Sequence, residues 1–336
     1  MSRPRILFVY SRPASFVEID RRILAEEYEV EEWAQPGRVP DLRRLIGALR
    51  RSDAVFGWFA SWHTFFPITL AWLMGKPSVQ IVGGFDTANM PDIGFGYQQG
   101  GLRRHASRWI MRRAGRLVTN SEYSRSEIAA NTPIDPARVT VVRHGVPDPF
   151  GALGGSEREP LALTVGPIDQ GTLVQKGHLA FVRAAHHLPD VQFVHVGKAL
   201  DDAIDTLRAE SPPNVRHTGW LSDDELEGLY ARAGAYVQAS LHEGFGLAVA
   251  EAMLAGCVPV VMDVTAMPEV VDGAGVLIDS QDGEVVAAGV RQALDSGAAG
   301  SAGARRRILE EFPMEGRREG ILAVTREALA AGGVPS

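Results

Sequence analysis

One cysteine in 336 residues is the first scarcity. Cys257 has no partner in the chain, so an internal disulfide framework is excluded and a reducing compartment fits. Within AGCVPVVMD it opens an apolar strand and reads as a small core residue rather than a nucleophile. An excess of basic charge is also missing. The formal net charge is −7, which argues against a general nucleic-acid binder. No apolar run approaches the roughly 20 residues that cross a bilayer. The opening MSRPRILFVYSRP has too short an apolar core for a signal peptide and reads as a first strand. The expectation is a cytoplasmic chain, or one peripheral at a membrane. Fixed-period repeats and low-complexity tracts are absent. No Asp-x-Asp or histidine cluster has metal-ligand spacing, and Asp201-Asp202 and Asp223-Asp224 read as helix-start charges, so no metal is expected.

What is present is the 45% hydrophobic, 22% charged composition of an ordinary globular protein. At about 150 residues per domain the length suggests two domains. Apolar runs of strand length alternate with helix-length segments. They are RILFVYS, EYEVEEWA, DAVFGWF, PSVQIVGG, GRLVTNS and RVTVVRHG, then PLALTVG, VQFVHVG, NVRHTGW, AYVQAS, CVPVVMD and GVLID. Such alternation implies parallel sheets covered by helices on both faces. Between the two sets, GVPDPFGALGGSEREP (residues 145–160) reads as a linker. Two α/β domains of Rossmann type follow, placed at 1–150 and 155–312. Ser222 with Glu225 forms a capping-box signature, and Pro313 marks the start of a tail helix over about 313–336.

The stretch SLHEGFGLAVAEAM, residues 240–253, carries the most chemistry. It lies where a strand ends and a helix begins, the edge at which open α/β sheets bind ligands. Gly244 and Gly246 permit positive φ and close backbone approach. The amides of Phe245, Gly246 and Leu247 open the helix and offer an anion site. Glu243 lies before the turn and Glu251 about five residues into the helix, roughly 7.5 Å along its axis. Carboxylates flanking an anion site suit hydroxyls on either side of it, the layout of a nucleotide sugar.

These residues resemble the E-x7-E glutamate pair of the family-4 retaining glycosyltransferases of GT-B fold. CVPVVMDVTAMPEVVDGAGVLID and VTNSEYSRSEIAANTPIDPARVTVVRHGV are similar to the same family, whereas residues 1 to about 110 match only in architecture. The resemblance implies two Rossmann-like domains facing across a cleft, with the tail crossing back to the first. It implies metal-independent transfer of a hexose-type sugar from a nucleoside diphosphate to a hydroxyl acceptor, with retention. No cofactor beyond the co-substrate is implied. Glu243 would face the donor sugar and Glu251 the ribose, with the Gly244–Leu247 turn on the diphosphate. VGPIDQGTLVQKG resembles the loop after the domain's first strand, so Gly166 would line the site and Lys176 would be the phosphate cation. Trp220 and Leu221 would offer backbone to the base, and Glu269 would steady the acceptor-facing loop.

Departures from the family pattern fall in two places. Pro167 stands where an arginine is usual, so Lys176 carries the leaving diphosphate alone or with help from Arg143 or another first-domain arginine. YSRPASFVEID has no glycine, although Ser11, Arg12 and Ser15 offer polar contacts. For the acceptor hydroxyl, Asp86 after Gly83-Gly84 is the first candidate and His144 the second. GGLRRHASRWIMRRAGR sets arginines from Arg103 to Arg116 around Trp109, which suits an inward-packed helix or a peripheral membrane contact. The competing readings are a GT-B sugar-nucleotide epimerase, an NAD enzyme using GFGLAV, and a degenerate nucleotide-sugar-binding partner subunit.

Overall fold

A computed structural model describes residues 3–35, 37–151 and 158–332. The middle of the linker and the last residues of the tail reading lie outside the described residues. The chain divides into two compact units, Met1–Gly145 with Met314–Ser336, and Val146–Pro313.

The apolar runs of the first unit form β1 (Arg5–Tyr10), β2 (Glu29–Ala34), β3 (Ala54–Trp58), β4 (Ser78–Ile81), β5 (Arg116–Thr119) and β6 (Val139–Val141). All pairings are parallel, in the order β2-β1-β3-β4-β5-β6. Because side chains alternate across a strand, β1 is apolar on both faces. Ile6 and Phe8 pack with Val17, Phe56, Ile321 and Leu322, whereas Leu7 and Val9 pack with Leu45, Ile68 and Ile110. The tail helix Met314–Ala331 thus supplies core to the first unit. Its Arg317 guanidinium donates to both Asp20 oxygens at 2.9 and 2.7 Å and to the Val142 carbonyl at 2.6 Å, all buried.

The second unit contains β7 (Glu159–Val165), β8 (Gln192–Val196), β9 (Val215–Gly219), β10 (Ala233–Gln238), β11 (Val258–Met262) and β12 (Val276–Ile278). These are again parallel, ordered β12-β11-β10-β7-β8-β9. Leu161, Leu163 and Tyr236 face one layer with Val249, Met253 and Phe312. Ala162, Ala235 and Val237 face the other with Phe181, Val286 and Val290.

This unit begins earlier than the linker reading expects. Val146 donates its N–H to the Phe312 carbonyl at 3.1 Å, Asp148 pairs with Arg305 at 2.6 Å, and Phe150 packs edge-on to Tyr230. Residues 146–150 therefore belong to the second unit by contact, despite their Pro content.

The strand orders locate the crevices. In the second unit the chain runs outward from β7 through β8 to β9, then restarts on the other side at β10. The loops after β7 and β10 diverge there, at a topological switch point. In the first unit the same reversal falls between β1 and β3.

Candidate functional site

At the second unit's switch point, the loop after β7 is stitched to the loop after β10. Leu241 donates its N–H to the Gln175 carbonyl at 2.9 Å, and Gln175 Nε2 donates to the His242 carbonyl at 2.9 Å. Gly177 (φ +75°) sits so close to the Ala239 carbonyl that a Cβ would collide with it. Gly166 lies in the same loop, with its N–H on the Val196 carbonyl at 2.9 Å.

This stitching brings Lys176 Nζ to 2.6 Å from Glu243 Oε1, the Glu243 side chain being 11% exposed. Gln238 Nε2 donates to the same oxygen at 2.6 Å. Burial alone would raise the Glu243 pKa. The Lys176 charge and hydrogen bonds from Lys176, Ser240 and Gln238 outweigh it and hold the carboxyl below the usual range. Glu243 also donates its N–H to Thr265 Oγ1 at 3.2 Å, and Thr265 has φ +60°, a strained value for a β-branched residue.

The turn beyond Glu243 uses its glycines unequally. Of the pair, Gly246 takes positive φ (+89°) and Gly244 does not, which corrects the expectation for both. Gly246 precedes the helix Leu247–Leu254, and a Cβ there would strike Met267. Phe245 turns its ring into the core, 5.1 Å from Phe312. The first intrahelical bond runs from Ala250 to Gly246 at 3.1 Å, so the N–H groups of Leu247 to Val249 have no partner within the helix.

Glu251, one turn further, contrasts with Glu243. It is half-buried, and its carboxyl receives no hydrogen bond from the described residues. Burial, then the Asp223 charge, push its pKa up to about 7. Asp223 opens the helix Asp223–Arg232 after a full Ser222–Glu225 capping box. The turn carrying Trp220 and Leu221 is therefore near Glu251, and Trp220 is 75% exposed. Glu269, in the helix Met267–Val271, is half-buried, and its carbonyl accepts from Arg307 at 2.9 Å.

Three histidines escaped the sequence reading. His178 and Pro167 O are 3.1 Å apart, His195 and His217 meet at 3.3 Å, and His217 reaches Ser211 Oγ at 2.8 Å. Burial pushes His178 down to about 4 and His195 well below its usual value, so both stay neutral. They brace the loop at Pro167 without adding charge. The signal for His195 and His217 was register, since they are paired positions on neighbouring strands, whereas His178 opens the helix His178–Ala185.

In the first unit the residues sequence reasoning selected meet three different environments. Ser15 is exposed at the start of the helix Ser15–Glu27, beside the switch point. Asp86 requires correction as an acceptor group. It is 1% exposed, and its oxygens accept the N–H of Ala60 at 2.7 Å and of Gly83 at 3.0 Å. Burial pushes it up to about 7 and those backbone donors act against the rise. Asp86 locks the turn after β4 to the end of β3. His144, the second candidate, lies in an aromatic setting. It is buried, parallel to Trp58 at 6.1 Å and tilted against Phe16, and burial followed by the Arg317 charge push its pKa well down.

The arginine-rich helix Gly101–Arg113 packs inward. Trp109 Nε1 donates to Thr69 at 3.0 Å, Arg113 lies over Trp72 and Trp109 at 4.1 and 4.6 Å, and Arg108 binds Gln98 and the Asn131 carbonyl. Among the described residues no helix is long and apolar enough to cross a membrane, and no group of three His, Cys, Asp or Glu could hold a metal ion.

Comparison with known proteins agrees with this arrangement. Residues 159–296 match the family of glycosyl transferases group 1, and residues 11–145 the glycosyl transferase 4-like domain. Over 273 residues the chain is 30% identical to a glycogen synthase of Mycobacterium tuberculosis, spanning 72% of this chain and 63% of that protein. Over 80 residues it is 41% identical to O-antigen chain mannosyltransferase B of Escherichia coli, spanning 24% of this chain and 21% of that one. The fold matches Anabaena HepE, solved in complex with UDP and glucose, with a TM-score of 0.73 at 16% identity, covering 96% of this chain and 100% of that chain. At that identity the likeness speaks for the fold, the two-domain α/β arrangement named GT-B. The chain belongs to the group 1, family-4 glycosyltransferases of GT-B fold.

Proposed function

We propose that the chain transfers a hexose-type sugar from a nucleoside-diphosphate sugar to a hydroxyl acceptor, with retention at the anomeric carbon and without a metal ion. The observation that carries this reading is Glu251: a half-buried carboxyl, raised to about 7, with no hydrogen bond from the described residues, at a sheet switch point. Such a group is set up for ligand hydroxyls, and the ribose fits beside the Trp220 turn. The diphosphate would lie on the first-turn amides of the helix Leu247–Leu254, whose partial positive charge suits it. Lys176 would bridge Glu243 on one side and the leaving phosphate on the other. Glu243, ionised, would face the sugar and offset positive charge at the anomeric carbon.

In this scheme the leaving phosphate oxygen accepts the acceptor's proton on the same face of the sugar, so no strong protein base is needed. The cationic role usual for an arginine at Pro167 falls to Lys176, because His178 beside it is neutral. The test is incubation of the purified chain with UDP-, GDP- and ADP-hexoses in EDTA, alone and with sugar or lipid-linked acceptors. Release of one nucleoside diphosphate, and an α product from an α donor by NMR, is expected. An inverted product would sink retention, and activity only after adding Mg²⁺ or Mn²⁺ would sink metal independence. Binding without transfer until a second protein is added would favour a partner subunit, the reading Pro167 keeps open.

A further inference from the structure

We propose that Tyr236 and Gln238 are positioning residues, forming a buried hydrogen-bond relay that fixes the Glu243 carboxylate against Lys176. The purpose of the relay rests on the donor-site reading above; its geometry does not.

Tyr236 and Gln238 occupy alternate positions on β10 and so share one face of the sheet, a face otherwise filled by Leu161, Leu163, Val194 and Val261. A polar pair on that face requires partners, and each has them. The Tyr236 hydroxyl, fully buried, donates to Gln238 Oε1 at 3.0 Å. An amide has one accepting end and one donating end, so this bond turns the Gln238 NH₂ the other way. Its two hydrogens then go to Ser240 Oγ at 3.0 Å and Glu243 Oε1 at 2.6 Å. The reversed amide would set oxygen against a carboxylate, so the hydroxyl determines which end Glu243 meets.

The relay cannot easily reverse, because Tyr236 keeps its proton. Burial, with the nearby Glu251 and Glu243 charges, pushes its pKa well above the usual tyrosine value. The groups facing Glu243 are then Lys176, Gln238, Ser240 and, through Gln238, Tyr236. Lys176 alone would leave a 2.6 Å ion pair free to swing on two flexible side chains. Gln238 adds a second donor to the same oxygen from a rigid strand end, which fixes the carboxylate before any ligand arrives. The sequence carries this as YVQAS, where the glutamine interrupts an apolar strand.

The experiment is a ¹³C NMR titration of the glutamate side-chain carboxyls, with Glu243 assigned through Glu243→Gln, in wild type, Gln238→Leu and Tyr236→Phe. The Glu243 midpoint should rise by about one unit, tenfold in proton affinity, in Gln238→Leu, and by less in the same direction in Tyr236→Phe. If kcat/KM is measurable, its acidic limb should move with the midpoint, which a merely structural role would not produce. An unchanged Glu243 midpoint in the variants overturns the relay. Tyr236→Phe conserves volume and carries the test should Gln238→Leu fail to fold. Nucleoside diphosphate titration of the wild type runs alongside. Absence of binding there would sink the donor reading while leaving the relay to be judged on the NMR result.

Discussion

At the switch point between β7 and β10 the second unit gathers Lys176, Glu243 and the partly hidden Glu251, while the first unit fills its switch point between β1 and β3 with rings. There Phe16 and Trp58 lie 4.8 Å apart, Phe59 and His144 close on them, and Trp58 is 1% exposed. Both sheets are parallel, six-stranded and reversed in the same manner. Topology therefore supplies a crevice twice, and side chains decide which crevice recognises charge. A second contrast sharpens the point. Asp86 and Glu251 are both raised to about 7 by burial, yet Asp86 has two backbone donors and Glu251 has none from the described residues. Of two raised carboxyls, the one the protein leaves without donors is the better candidate for a ligand site.

The largest effect expected from breaking this contrast is in the first unit. Trp58→Ala should cost about 3–5 kcal/mol of stability through the cavity it leaves, while nucleoside diphosphate affinity stays within about twofold if the donor site belongs to the second unit. Denaturant melts and binding titrations on one preparation read both; a large affinity loss in a folded variant would contradict the division of roles.

A middle-sized effect belongs to Glu251. Its folded pKa, about 7 against an ordinary 4.5, means the folded state holds the proton more tightly than the unfolded chain. The stability from this group is present below the unfolded pKa and is lost as pH rises through about 7. Glu251→Gln should therefore be more stable than wild type at pH 8, by on the order of 2 kcal/mol, and the gap should shrink toward pH 5. Urea melts at the two pH values check it; a variant less stable at pH 8 would show that the carboxylate is already satisfied.

The smallest concerns the turn beside Glu251. Ser222→Ala removes the cap of the helix Asp223–Arg232 and should cost about 1 kcal/mol, typical of such a cap. Faster hydrogen exchange in that helix, with no change in the first unit's amides, is the expected pattern.

The parts of this comparison that were legible in the sequence are those set by local chemistry. All the expected runs appear as strands; the central ones are buried and rich in Val, Ile and Leu, while the edge strands β2 and β9 are more polar and partly exposed. Ser222 and Glu225 cap each other across three residues, and Gly246 marks a left-handed turn before a helix. The rest was set at a distance. Asp86 after two glycines looks the same whether its partner is water or the Ala60 amide, 26 residues away. His144 at a strand end gives no sign that Trp58 will lie parallel to it. Nor does YVQAS reveal that its glutamine meets the charge five residues on, since only the sharp return of the chain after β10 brings them together.

The central claim, a nucleotide-sugar site at the second unit's switch point, is tested most directly by calorimetric binding of UDP, GDP and ADP to wild type and Glu251→Ala in EDTA. One nucleoside diphosphate should bind wild type clearly better than the other two. Glu251→Ala should weaken it by about 1.5–3 kcal/mol, roughly tenfold to 150-fold, as expected for losing a hydrogen bond to a charged group. Equal affinity in the two proteins, or binding of none of the three, would contradict the claim and leave Glu251 a half-buried carboxyl without a ligand.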